Sequence, residues 1–204
     1  MRWYNERGRT NVTCPESQQP VEIDELIFNV GMQMPLKEWR GTETNTIRIF
    51  LASSKELEFE RKSFEIFIYR ESKRLIEEGI FLHLEIWEDF LDAMSPTSLQ
   101  DEYNKAVKAS DIFVGLFFSK AGKYTQEEFE TAHKHFKQNG TPHIFTFIKN
   151  SAIMSGEINE DFNSLLNFKN KLHTLGHFPT EFKDSNDLEK QFRNQFDKLK
   201  GKLY

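Results

Sequence analysis

The sequence predicts an α/β domain: a doubly wound, five-stranded parallel sheet preceded by a short N-terminal arm. Two observations carry this. From position 46 onward, short apolar runs rich in β-branched and aromatic residues alternate with longer segments of helical period. Alternation of that kind builds right-handed strand–helix–strand units and a parallel sheet. The inner runs are also continuously apolar, as in DIFVGLFF (111–118), which is the pattern of strands covered on both faces.

The elements follow in order. Residues 1–45 carry Pro15, Pro20 and Pro35 and no long apolar period, so they read as an arm, with 46–204 as the domain. Within the arm, VEIDELIFNVGMQM fits a helix or a strand equally. TIRIFLA (46–52) is the first strand. The helix after it sets Leu57, Phe64, Ile68 and Leu75 on one face and stops at Gly79, where a C-cap belongs. IFLHLEIW (80–87) is the second strand and EDFLDAMSPTS (88–98) a loop. LQDEYNKAVKAS (99–110) is a helix with Leu99, Tyr103 and Val107 in line, and 111–118 is the third strand. Residues 125–138 form a helix with Phe129, Ala132, His133 and Phe136 inward. PHIFTFI (142–148) is the fourth strand, 160–173 a helix, HFPTEF (177–182) a weak fifth strand, and 185–200 the last helix.

Composition narrows the function. The chain has 204 residues, 38% hydrophobic and 29% charged, which is a globular make-up with 20 Phe. Twenty-seven basic against 32 acidic residues give a formal charge of −5 and no basic stripe, so no nucleic-acid partner is expected. No apolar run approaches 18 residues, and MRWYNERGRT lacks the apolar core of a signal peptide. With Cys14 as its one cysteine, the chain is expected to be cytoplasmic, without a membrane span.

In a doubly wound sheet, ligands bind beyond the C-terminal ends of the strands. Those ends here lead into Ser53 and Ser54, Trp87, Glu88 and Asp89, Phe118 and Ser119, and Lys149. A phosphate-binding P-loop is excluded, because six residues separate Gly115 from Gly122–Lys123 where the motif has four, and no Ser or Thr follows. His133 and His135 are two apart and point to different helix faces, so one faces the core, the other faces solvent, and no metal site is expected. Cys14 lies in the arm without a poised base. Ser53 with Glu56, and Thr125 with Glu128, each fit a capping box. A cap serine there also offers its hydroxyl to a ligand. Glu130 falls about 200° and Glu127 about 100° around the helix from Glu128, which leaves Glu128 facing the crevice. Capping and catalysis both remain open for it at this point. Trp87 reads equally as core packing at a strand end, and Asp111 as structural.

Three stretches, IRIFLASSKELEFER, WEDFLDAMSPTSLQDEYNKAVKASDIFVGLF and GKYTQEEFETA, together resemble a TIR domain. More narrowly, they resemble the bacterial TIR-like domains of antiphage defence proteins, over about residues 46–200. The resemblance implies a flavodoxin-like sheet and cleavage of the N-glycosidic bond of NAD⁺, with NAD⁺ as substrate and no resident cofactor or metal. The catalytic glutamate of such enzymes lies in a Trp-x-x-x-Glu pattern. Tyr124-x-x-x-Glu128 matches it with Tyr for Trp, and Glu128-Phe129-x-x-Ala132 matches the family's Glu-Leu-x-x-Ala. By this resemblance Glu128 is catalytic, and Phe50, Ser53, Ser54, Trp87, Asp89 and Tyr124 line the substrate pocket. It further implies a gating loop at 88–98, self-association through TIR surfaces, and a cytosolic defence effector activated by assembly. Residues 1–45 are then a docking segment for a sensor or partner protein. A non-enzymatic TIR-type interaction module and a nucleoside deoxyribosyltransferase-like enzyme are the competing readings.

Overall fold

A computed structural model of the chain describes residues 44–86, 99–152 and 160–203, together with the backbone of 12–13 and 20–21. The chain divides into two compact units, Met1–Thr44 and Asn45–Tyr204. In the first, Val12–Thr13 pairs antiparallel with Pro20–Val21.

The second unit carries the sheet. Its strands are β1 (Asn45–Ser53), β2 (Ile80–Ile86), β3 (Ile112–Phe117), β4 (His143–Lys149) and β5 (Thr180–Phe182). Its helices are α1 (Glu58–Leu75), α2 (Leu99–Ala109), α3 (Lys123–Asn139), α4 (Glu160–Thr174) and α5 (Ser185–Lys200). The strand order is β2-β1-β3-β4-β5, every pairing parallel, with Ile49 opposite Ile112 and Ile112 opposite His143. That is the flavodoxin-like order, whose switch point lies between β1 and β3.

Strand parity sorts the core into two layers. Ile47, Ile49 and Leu51 of β1 join Ile112, Val114 and Leu116 of β3 beneath Phe64 of α1 and Phe192 of α5. Phe50, Ala52, Phe113 and Phe117 face the other way, against Val107 of α2, Phe129 of α3 and Phe168 of α4. Consecutive strand residues point to opposite faces, so one apolar run feeds both layers. Phe supplies much of the packing: Phe192 meets Phe64 edge-on at 5.0 Å, and Phe117 meets Phe168 at 4.5 Å. Gly115 sits between two of these rings. A β-carbon there would lie 3.0 Å from Phe117 and 3.2 Å from Phe113, so a larger residue would push the rings apart.

Polar contacts fix the strand and helix ends. The Arg48 amide donates to Asp111 Oδ2 (2.8 Å), the structural role expected of Asp111. Gly79 takes φ 74° at the end of the turn that closes α1, a left-handed conformation that glycine adopts without steric cost. Two expectations change. Phe136 is 39% exposed and not inward. His135 is not solvated: its Nδ1 donates to the Thr141 carbonyl (2.7 Å), while His133 is half-buried against Phe129. No helix among the described residues is long and apolar enough to cross a membrane.

Candidate active site

Three elements bound one cavity of about 600 Å³ beyond the C-terminal ends of β1 and β3. β1 and the corner after it contribute Leu51, Ala52, Ser53, Ser54 and Lys55. α2 contributes Gln100 and Tyr103, and the start of α3 contributes Gly122, Lys123, Tyr124, Thr125 and Glu128. The helices run antiparallel to the strands they connect, so their N-terminal turns rise at the ligand end of the sheet.

The β1 corner is held from behind by a buried arginine. Arg61, 1% exposed, donates from Nη1 to Ser53 Oγ at 2.8 Å. An arginine only donates, so the Ser53 oxygen is the acceptor and its own proton stays available. Ser54 is polarised the opposite way, its hydroxyl donating to Glu56 Oε1 (2.9 Å). Glu56 also accepts from the amide (3.2 Å) and the hydroxyl of Ser119, tying the corner to the β3–α3 loop. The capping box expected of Ser53 with Glu56 does not form. Ser54, not Ser53, precedes the short 3-10 turn Lys55–Leu57, and no side chain caps that turn.

α3 begins two residues earlier than the sequence suggests. Gly122 is its N-cap, in extended backbone and without a side-chain cap. The second expected capping box therefore does not form either. Thr125 lies inside the first turn and Glu128 is the sixth helical residue, beyond reach of the orphan amides at the helix start. Glu128 is 5% exposed, and no hydrogen bond to its carboxyl is formed among the described residues. Burial, with the neighbouring Glu127 charge adding to it, pushes its pKa up to about 8. The other two acids lie elsewhere: Glu127 is half-buried and does not line this cavity, and the exposed Glu130 accepts from Lys171 at 2.5 Å.

Of the residues expected at the site, Ser53, Ser54, Tyr124 and Glu128 come together around the cavity, with Tyr124 66% exposed at its mouth. Phe50 does not line it. It is fully buried and stacks on Phe113 at 6.1 Å. It shares a face with Ala52 but sits two residues deeper in the sheet, and Ala52 takes the lining position. Trp87 and Asp89, and the loop 88–98, lie outside the described residues. Gln100, Tyr103 and Arg61 were not anticipated. Tyr103 shared its helical period with Val107, and a polar residue one turn before it, on the same face at the ligand end, was the available signal. No cluster of metal-ligating side chains occurs among the described residues.

No protein-family model and no curated protein sequence matches this chain. Solved structures similar in backbone include an N-glycosidase and a TIR domain pair. The Clostridium botulinum CMP N-glycosidase BcmB is 19% identical, with a TM-score of 0.44, over 72% of this chain and 98% of that one. The RPS4 and RRS1 TIR domain heterodimer is 10% identical, with a TM-score of 0.45, over 76% of this chain and 97% of that one. The strand order and the two helical layers give the chain itself the flavodoxin-like arrangement that the TIR resemblance implies.

Proposed function

We propose that this protein hydrolyses the bond between nicotinamide and ribose in NAD⁺. The observation that carries the reading is Glu128: a buried carboxyl without a structural partner, lining a largely apolar cavity at the switch point of the sheet. A group so placed costs the fold stability, and such cost collects at functional sites. The Tyr124-x-x-x-Glu128 spacing agrees with this.

The chemistry needs one carboxylate. Nicotinamide in NAD⁺ is a pyridinium. When the C1′–N bond breaks, its electron pair goes to the ring nitrogen and the base leaves neutral, so no acid has to protonate it. Positive charge then develops on the ribosyl carbon. Glu128 holds its proton at neutral pH in the free protein, and an approaching cationic substrate favours the ionised form and draws the proton off. The carboxylate then stabilises the ribosyl cation. Water adds at C1′ and gives up a proton, which Glu128 accepts or solvent removes. Ser53 and Ser54, one offering a proton and the other lone pairs, suit ribose hydroxyls.

The reading extends, on the sequence resemblance, to a cytoplasmic antiviral effector that self-associates when triggered. Residues 1–45 would receive the sensor or partner. A second reading, the non-enzymatic interaction module, is favoured by one observation. Phe59 and Ile66, 72% and 53% exposed, share a face of α1 with the exposed Tyr69. Nicotinamide release from NAD⁺ by the full chain, dilute and crowded, beside Glu128→Gln, decides between them. The expected result is release that the substitution lowers by at least about 100-fold. Full release by Glu128→Gln sinks the catalytic assignment. Silence in every condition favours the interaction module, and cleavage of CMP or free nucleosides in place of NAD⁺ moves the substrate.

A further inference from the structure

The start of α3 lacks the side chain that commonly closes a helix start. Its N-cap is Gly122, in extended backbone, and no side chain caps the turn. The first bond of the helical ladder runs from the Gln126 amide to the Gly122 carbonyl at 2.9 Å. The amides of Lys123, Tyr124 and Thr125 therefore precede the ladder. A Ser or Asp at the N-cap would accept from such amides, and the place its side chain would take is open. Among the described residues, a β-carbon at Gly122 would meet only Thr125 Oγ1, at 3.8 Å.

Thr125 is 4% exposed, and its hydroxyl forms no hydrogen bond among the described residues. A buried hydroxyl without a partner is uncommon and costs the fold stability. It is not sealed off: the enclosed, unpartnered side-chain atoms among the described residues are Gln100 Nε2 and Ser185 Oγ. Gly122, Thr125 and Glu128 all line the cavity beyond β1 and β3. Thr125 and Glu128 are three residues apart and share a face of α3, with about 4.5 Å of helix rise between them. The other charged side chains on the cavity wall are Lys55 and Lys123. Amides ahead of the ladder, a hydroxyl and cations in one open corner are donors that suit a phosphate. A nucleotide carries its 5′-phosphate a few bonds from its ribosyl carbon, which matches the single turn between Glu128 and the start of α3.

We propose that the start of α3 binds the 5′-phosphate of the ribosyl unit cleaved at Glu128, with Thr125 Oγ1 donating to a phosphate oxygen that takes the place of a cap side chain. The substrate class is then a nucleotide and not a free nucleoside. This rests on the reading of the protein as an NAD⁺ glycohydrolase, for which the phosphate is the one next to the nicotinamide ribose.

The test compares the full chain with Thr125→Val, equal in shape but without the hydroxyl, and Gly122→Asp, which sets a carboxylate in the open cap position. Three substrates are used: NAD⁺, nicotinamide mononucleotide, which keeps the phosphate, and nicotinamide riboside, which lacks it. The wild type should cleave the mononucleotide at least about 10-fold more efficiently than the riboside. Both variants should lose about 10- to 100-fold in kcat/KM on the two phosphorylated substrates, and less than about threefold on the riboside. The melting temperature should hold or rise in both, because Thr125→Val removes an unpaired buried hydroxyl and Gly122→Asp caps a helix. A fall of more than about 5 °C for Thr125→Val overturns the proposal, since the hydroxyl then serves the fold. Equal losses on all three substrates, no loss, or a wild type that cleaves riboside as well as mononucleotide overturn it too, and all of these leave NAD⁺ cleavage standing. A wild type that releases no nicotinamide removes the glycohydrolase reading, and ADP-ribose then decides on the phosphate site. A rise in melting temperature with ADP-ribose in the wild type but not in Gly122→Asp supports the site, and no rise in either overturns it.

Discussion

Glu128 links stability and chemistry in one side chain. The unfolded chain ionises this glutamate near its ordinary value of 4.5, and the folded protein holds the proton to about 8. The folded state therefore binds more protons between those values, and stability falls as pH rises through that window. Glu128→Gln does not titrate. Its stability advantage over the wild type should be near zero at pH 4, grow from about pH 4.5, and level off above about pH 8 at about 5 kcal/mol. Denaturant melts of both proteins at stepped pH measure it, and a pH-independent difference would show that the carboxyl ionises normally. Turnover should run the other way if the carboxylate is the working form, with kcat/KM rising with pH until about 8. Glu127→Gln should move that rise to lower pH by only part of the way, since burial is the larger cause. The sequence pointed to Glu128 but its spacing fitted a helix cap better than a reacting group. The two separate only when the helix start is fixed, and Gly122-Lys123-Tyr124 begins a helix with no side-chain signature. Phe50 shows the complementary gap: alternation tells which face a strand residue takes, but not how deep along the sheet it lies.

Elements meet at the ligand end through charged ties as well as apolar packing. Lys149, the last residue of β4, reaches α1 and pairs with Glu60 at 2.6 Å, with its ammonium 5.2 Å from the Phe118 ring centre. Glu60 is 5% exposed. Lys149→Met leaves that carboxylate buried without its partner and should cost about 3–5 kcal/mol, measured by denaturant unfolding. Lys149→Met combined with Glu60→Gln should recover much of that loss, because the stranded charge goes with it. A double variant as unstable as the single one would show that the packing of Lys149, and not the unpaired charge, carries the cost. None of this was legible in the sequence. Lys149 read simply as the end of a strand, and Glu60 as one polar residue of an amphipathic helix. Strand order alone brings them together across 89 positions. The strands themselves were legible because burial on both faces leaves long apolar runs; the ends of the first four shifted by at most one residue, and the short fifth begins three residues later than expected.

At the scale of the whole molecule, the sheet unit contains its own means of folding. Both apolar layers are drawn from residues 47–203, and the aromatic group around Phe192 joins α1, β4 and α5. A unit of this size buries enough apolar surface to fold alone. The fragment 45–204 should therefore unfold in one cooperative transition by circular dichroism, with near- and far-ultraviolet signals lost together. Non-coincident loss of the two signals would mean that the first 44 residues complete the fold. Given cooperative unfolding, nicotinamide release by the fragment isolates what the first unit does. Release equal to that of the full chain assigns residues 1–44 to neither catalysis nor its control. Release only by the full chain makes that unit part of activation, and release only by the fragment makes it a restraint.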